Sequence, residues 1–379
     1  MSARYSLGGF PTAGFAVLVV ALTAVLAGCS RLPLRVGFVG PLTGGSSAIG
    51  LGCRNGFLMA LGDGQGAAPG AIPPLELMVK DDRNDPDACL QAFKDLKAAG
   101  CEVVVLGTPS QAASKAVPWA IGNGILVITP TVSSPIEGDD SRLYIRVNMS
   151  SSEYGKALAH AAIERFHETR VGVIGDSRNM SYVSAVKQAF LSEYSRLGGR
   201  ACFDLSFDSS RERPGSELVG EIRSKGCDAL LAIAASTEVV LIAKELERAR
   251  LHVQLLLPPW PLTLDLIQNG GAAVDGAVAV SIADLEYRSV AGKAFEAAYR
   301  SEYGEAPSFT AMFGWEASSV LRAALAAKGS TTPTALSDRI IDMGSFGGLQ
   351  GKILFDATGK ATRSLFLFKV EGGAFRRIE

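Results

Sequence analysis

Three short stretches of this 379-residue chain hold the residue types that could recognise a small ligand. Gly107-Thr108-Pro109-Ser110-Gln111-Ala112-Ala113 follows an apolar run and opens a helical pattern. Free backbone N–H groups and the positive end of a helix dipole belong at such a junction. Those donors, the Ser110 hydroxyl and the adjoining Gln111 could hold a carboxylate, whereas a purely structural Ser110 would cap its helix. Pro130-Thr131-Val132-Ser133-Ser134 makes a polar turn, either a binding loop through Thr131 and Ser133 or a solvated hydroxyl turn. In Leu257-Pro258-Pro259-Trp260-Pro261, Trp260 offers either an aromatic face to a ligand or plain packing. Ser236, just after the apolar run Ala229–Ala234, is a further hydroxyl candidate.

Catalytic chemistry finds little material. The sequence has no GxSxG elbow, no HExxH and no GxxxxGK[ST]. Its three histidines, His160, His167 and His252, leave little for His-based metal or acid–base work. Gly50-Leu51-Gly52-Cys53-Arg54-Asn55-Gly56 superficially suggests a dinucleotide loop, but its third glycine is one residue late and it lies inside a helical pattern. The reading is a binding protein, not an enzyme, with no cofactor. Lys plus Arg is 37 against Asp plus Glu 38, so no nucleic-acid partner is expected. Apolar residues make up 47%, enough for a full core.

The first residues read as an address. Ala13 to Leu26 is almost wholly apolar, too short for an ordinary membrane-spanning helix, and ends in Leu26-Ala27-Gly28-Cys29. That tetrapeptide resembles a bacterial lipoprotein cleavage box, which implies removal of residues 1–28 and a lipid on Cys29. A 351-residue monomer would then sit in the cell envelope, tethered to the membrane on its periplasmic or extracellular face. Cys53, Cys89, Cys101, Cys202 and Cys227 would remain, an odd number, and no pairing is assigned.

Those candidate loops need elements to position them. Strand-like Leu34–Gly40, Leu75–Lys80, Glu102–Leu106 and Ile125–Thr129 alternate with helical Ile49–Gly62, Pro86–Ala99 (Asp85 as its cap) and Ser110–Gly122. The rhythm restarts after Asn148–Ser152, with a helix over Glu153–His167 and strands at Val171–Gly175, Ala201–Phe207, Ala229–Ala234 and Val253–Leu257. Helices Ser181–Leu197, Gly215–Lys225 and Glu238–Ala249 separate those strands. Strands spaced by helices mean parallel βαβ units, here two α/β lobes sharing a C-terminal tail.

Four motifs then carry a resemblance: Val36–Gly44 (VGFVGPLTG) with Arg54-Asn55-Gly56, Lys80-Asp81-Asp82 with Asp85-Pro86, and Gly124–Pro130 (GILVITP). In that order they resemble the type I periplasmic binding proteins of branched-chain amino acid (Leu/Ile/Val) ABC transporters. The resemblance implies two Rossmann-like lobes with parallel sheets joined by three crossing strands, near Val147–Ser150, Val280–Ala283 and Ser345–Gly348. It divides the chain into 29–148 and 280–346 for the first lobe, and 149–279 and 347–379 for the second. A ligand bound in the cleft would close the lobes, and an ABC permease would read the closed form. Ser110 aligns with the family's carboxylate-binding serine, while Thr131 and Ser133 align with the carbonyl and hydroxyl offered to a ligand ammonium. The second lobe departs from the pattern. The family's ammonium-pairing acid falls at Pro259, its cleft tyrosine at Ala235, and two further aromatics at Met180 and Ile49. Glu238, Asp265 or Glu153 would have to substitute for the missing acid. The expected function is an importer's receptor for an amino acid or a related amide or carboxylate. The alternatives are a ligand-sensing domain or a ligand-silent envelope scaffold of the same fold.

Overall fold

A computed structural model describes residues 33–62 and 72–378; Cys29 and its leader lie outside them. The first sheet is wholly parallel and contains β1 (Leu34–Gly40), β2 (Leu75–Asp81), β3 (Val103–Leu106), β4 (Leu126–Thr129) and β5 (Tyr144–Arg146) in the order β2-β1-β3-β4-β5. The last of these has no counterpart in the sequence reading. Helices α1 (Ser47–Gly62), α2 (Pro86–Ala98), α3 (Ser110–Ala113) and α4 (Ala116–Gly122) connect its strands. Strands β3 and β4 are buried along their whole length, as parallel strands covered on both faces must be. The expected single helix over Ser110–Gly122 is broken in two. Restarting at Ala116 places Pro118 in a first turn, where its missing N–H forfeits no helical bond.

The chain leaves this sheet at 147–150 and enters α5 (Ser151–His160), which ends in a wide π-helical turn over Ala161–Arg165. A second sheet follows, built from β6 (Arg170–Asp176), β7 (Arg200–Phe207), β8 (Ala229–Ile233), β9 (Gln254–Leu257) and β10 (Val278–Ser281). Its parallel part runs β7-β6-β8-β9-β10, the same order of first, second and later strands as in the first sheet. Helices α6 (Met180–Arg196), α7 (Ser216–Lys225), α8 (Ser236–Arg248) and the short α9 (Leu264–Gly270) link these strands. In sheets of this order, ligands belong outside the carboxyl ends where the strand order reverses.

After β10 come α10 (Val290–Tyr303), α11 (Phe309–Ala326) and α12 (Pro333–Met343). Helix α11 lies directly on α1 of the first lobe. A Cβ on Gly56 would fall 1.8 Å from the Ala311 carbonyl oxygen, and one on Gly314 would fall 1.9 Å from that of Cys53. Only glycine permits so close an approach of two backbones. The tail then forms a small antiparallel sheet, β11 (Ser345–Gly348), β12 (Gly351–Phe355) and β13 (Ala361–Thr362). Phe346, Ile353, Phe355 and Ala361 are buried in the same cluster as Val36 and Ile145 of the first lobe. The segment Ser345–Gly348, where the third crossing was expected, is therefore a strand packed on the first lobe. The return to the second sheet comes later, at residues 363–365, before β14 (Phe366–Glu371) pairs antiparallel with β10 and β15 (Ala374–Arg377) completes the edge. A buried ion pair stands at this crossing: Arg363 donates to Glu316 of α11 at 2.8 Å.

Candidate functional site

Both sheets aim the carboxyl ends of their strands at one another. From the first lobe come the loops after β3 and β4, and from the second those after β6 and β9, with the start of α11 closing one side. They line a partly open cavity of about 50 Å³. Its polar residues are Ser110, Thr131, Ser133, Asn148, Asn179 and Thr310, with Tyr154 and Tyr182. Ile49, Pro109, Pro259, Trp260, Phe309 and Phe313 supply apolar surface. No carboxylate, amine, guanidinium or imidazole lines it among the described residues.

The acidic motif after β2 holds the neighbouring loop in place. Asp81 accepts from Leu42 N–H at 2.8 Å and from the Thr43 hydroxyl at 2.5 Å, and Asn84 Nδ2 donates to Ser46 Oγ at 3.1 Å. Asp82 accepts from Asn84 N–H at 2.9 Å, and burial raises its pKa above the usual carboxylate value. Neither carboxylate reaches the cavity lining.

The first-lobe hydroxyls are held by their own loops. Ser110 does not cap α3: the cap position is Pro109, and Ser110 Oγ instead accepts from the Ser133 and Ser134 N–H groups at 3.3 and 3.4 Å. With both lone pairs engaged, its own O–H proton is left to donate. The Thr131 hydroxyl turns inward and donates to the Thr108 carbonyl at 2.8 Å. The Thr131 carbonyl accepts from Asn148 Nδ2 at 3.2 Å, and Asn148 Oδ1 accepts from the Tyr154 hydroxyl at 2.6 Å. Ser133 gives its carbonyl to Ser151, whose N–H donates at 2.9 Å and hydroxyl at 3.2 Å.

Gln111 lies outside the lining and ties the lobes together. Its N–H donates to Asn179 Oδ1 at 3.1 Å, and its Oε1 accepts from Ser181 Oγ at 2.8 Å and Ser181 N–H at 3.3 Å. A first-lobe side chain thus satisfies an N–H in the first turn of second-lobe helix α6, and a second-lobe amide occupies a donor at the start of α3.

In the second lobe, Trp260 faces the cavity and meets Tyr182 edge-on, with ring centroids 5.9 Å apart. Tyr182 is 6% exposed, and burial drives its pKa well up. Its hydroxyl sits beside the Trp260 backbone amide without a hydrogen bond of ordinary geometry. Ser236 is buried at the start of α8 and does not line the cavity. The three acids expected to replace the one missing at Pro259 also lie elsewhere. Glu238 is half-buried on α8, Asp265 is exposed on α9, and Glu153 pairs with Lys156. Met180 is exposed and Ala235 lies outside the lining, while Ile49 is part of it.

Asn148, Tyr154, Asn179, Tyr182, Phe309, Thr310 and Phe313 were not singled out by sequence reasoning. One pointer was available for the last three: Pro307-Ser308 before Phe309 marks a helix start with two aromatics four residues apart. Ser308 does cap that helix, accepting from Ala311 N–H.

Comparison with known proteins agrees with this architecture. Residues 33–374 match the family model described as periplasmic binding protein. The Leu/Ile/Val-binding protein BraC3 of Rhizobium johnstonii is 23% identical over 363 residues, covering 94% of this chain and 96% of that one. The leucine-binding protein LivK of Thermotoga maritima superposes with a TM-score of 0.83 at 23% identity, over 91% of this chain and 98% of its own. An R. palustris ABC transporter solute-binding protein crystallised with benzoate superposes with a TM-score of 0.81 at 19% identity, over 92% and 96% of the two chains.

Proposed function

We propose, from the premise that this chain belongs to the periplasmic binding protein family, in its type I branched-chain amino acid group, that it is the lipid-anchored receptor of an ABC importer. Capture of a small polar solute between its lobes is its work, with no covalent chemistry. The observation that carries this reading is the partly open cavity at the meeting of both sheets' carboxyl ends, spanned by the Gln111–Asn179–Ser181 bonds. A solute filling that cavity would touch both lobes at once, and so would favour the closed arrangement that a permease can distinguish from an open one. Ser110, Trp260 and Tyr182 are the residues that would meet it; Gln111 would act by holding the closed form. The Leu26–Cys29 box supports the anchor.

A thermal-shift screen against amino acids, small amides and carboxylates tests the reading. A ligand that binds only the native state at a hundredfold excess over Kd adds about 2.7 kcal/mol of stability. A hit lost in Ser110→Ala supports the cleft. No hit across the panel contradicts it and favours a ligand-silent scaffold, the second reading, to which the absence of any charged lining group lends weight.

A further inference from the structure

We infer that the cleft selects a small uncharged ligand that offers a carbonyl-type acceptor to Ser110. This rests on the solute-binding reading above and narrows it. Charge is the first argument. An ammonium or carboxylate taken from water into this cavity meets no opposite charge among the described residues, and Pro259 offers neither a polar side chain nor an N–H. An unpaired ion is costly to bury, whereas a neutral amide or urea-like group is not.

The backbone donors give the second argument. A carboxylate needs several N–H groups, and three of those at hand are engaged: Gln111 N–H by Asn179 Oδ1, Ser133 and Ser134 N–H by Ser110 Oγ. What remains on the lining is neutral: the Ser110 and Thr131 N–H groups, the Ser110 and Ser133 hydroxyls and Asn179 Nδ2, with the buried Tyr182 Oη, which makes no hydrogen bond of ordinary geometry, at the second-lobe wall. Neutral N–H and O–H donors suit a ligand carbonyl, and a hydroxyl can also accept an N–H or O–H from a neutral ligand.

Size is the third. A cavity of about 50 Å³ leaves little room, which suits a small molecule such as acetamide or urea. The large side chains of Tyr182, Trp260, Phe309 and Phe313 set that limit.

Isothermal titration of the protein at pH 7 with acetamide, acetate and glycine tests the inference, because acetamide and acetate match in shape and differ in charge. Acetamide is expected to bind at least tenfold more tightly than acetate or glycine. Tyr182→Phe, which keeps the ring, is expected to weaken acetamide several-fold without lowering the melting temperature. Acetate or glycine binding as tightly as acetamide would overturn the charge argument and leave solute binding standing. Binding of leucine or benzoate with none of the three small probes would overturn the size argument. Silence from every compound would overturn this inference and leave the solute-binding reading to the wider thermal-shift panel.

Discussion

Tyr182 and Ser110 face the same cavity, yet substituting them should have opposite consequences for stability. The Tyr182 hydroxyl is buried without a partner, so Tyr182→Phe removes an unmet polar group and is expected to raise unfolding stability by about 1 kcal/mol. Ser110 Oγ serves two buried N–H groups, so Ser110→Ala orphans them and should cost about 1–3 kcal/mol. Both variants should lose ligand affinity. Chemical denaturation beside titration checks the pair; a destabilised Tyr182→Phe would show that its hydroxyl has a structural partner after all. Acetamide, with its four non-hydrogen atoms, reaches at best about −6 kcal/mol, a Kd of tens of micromolar. Sequence spacing exposed Ser110, Thr131, Ser133 and Trp260 because each follows a strand in a loop of small or polar residues. It hid Tyr182 and Asn179, whose roles depend on a contact between lobes about seventy residues apart, as the separation of Gln111 from Ser181 shows.

At the scale of elements, α11 brings Phe309, Thr310 and Phe313 to the cavity, and its placement depends on two glycines. Gly314→Ala would drive a methyl group against the Cys53 carbonyl, and moving the helix away should cost about 2 kcal/mol and reshape the cavity wall. Thermal melting and titration on that variant are expected to show both losses; an unchanged affinity would mean that the start of α11 does not shape the site. Gln111→Ala removes the tie to α6 while leaving each lobe's core intact. Less of the protein should then occupy the closed arrangement, giving a larger radius of gyration by small-angle scattering and a weaker apparent Kd. The alternation of strands and helices was plain in the sequence because the hydrophobic period changes at each junction. The third crossing was not: Gly-rich 346–351 resembles a hinge in composition, yet the apolar side chains of β11 and β12 seal the first lobe's core.

At the scale of the whole molecule, a charge taken out of water ties the C-terminal tail back onto the first lobe. Lys360 bridges the small sheet to β5, donating to the Tyr144 carbonyl at 2.9 Å and to that of Thr358 at 2.7 Å, and burial lowers its pKa to about 8. Between that value and the ordinary lysine pKa, the unfolded chain binds the proton more readily than the native one. This residue's contribution to stability therefore rises with pH across that range. Measured against Lys360→Met to cancel the other titrating groups, the wild type should gain about 2 kcal/mol from pH 7 to 9.5. A difference that stays flat with pH would mean that Lys360 keeps an ordinary pKa in the folded protein.

The central claim is that one solute is gripped by both lobes, and hydrogen exchange with and without saturating acetamide tests it most directly. The account predicts slowed exchange together at 107–113 and 131–134 in the first lobe and at 179–183 and 260–262 in the second. Protection confined to one lobe, or appearing instead along the open groove lined by Glu168, Asp228 and His252 at the far end of the second sheet, would contradict it.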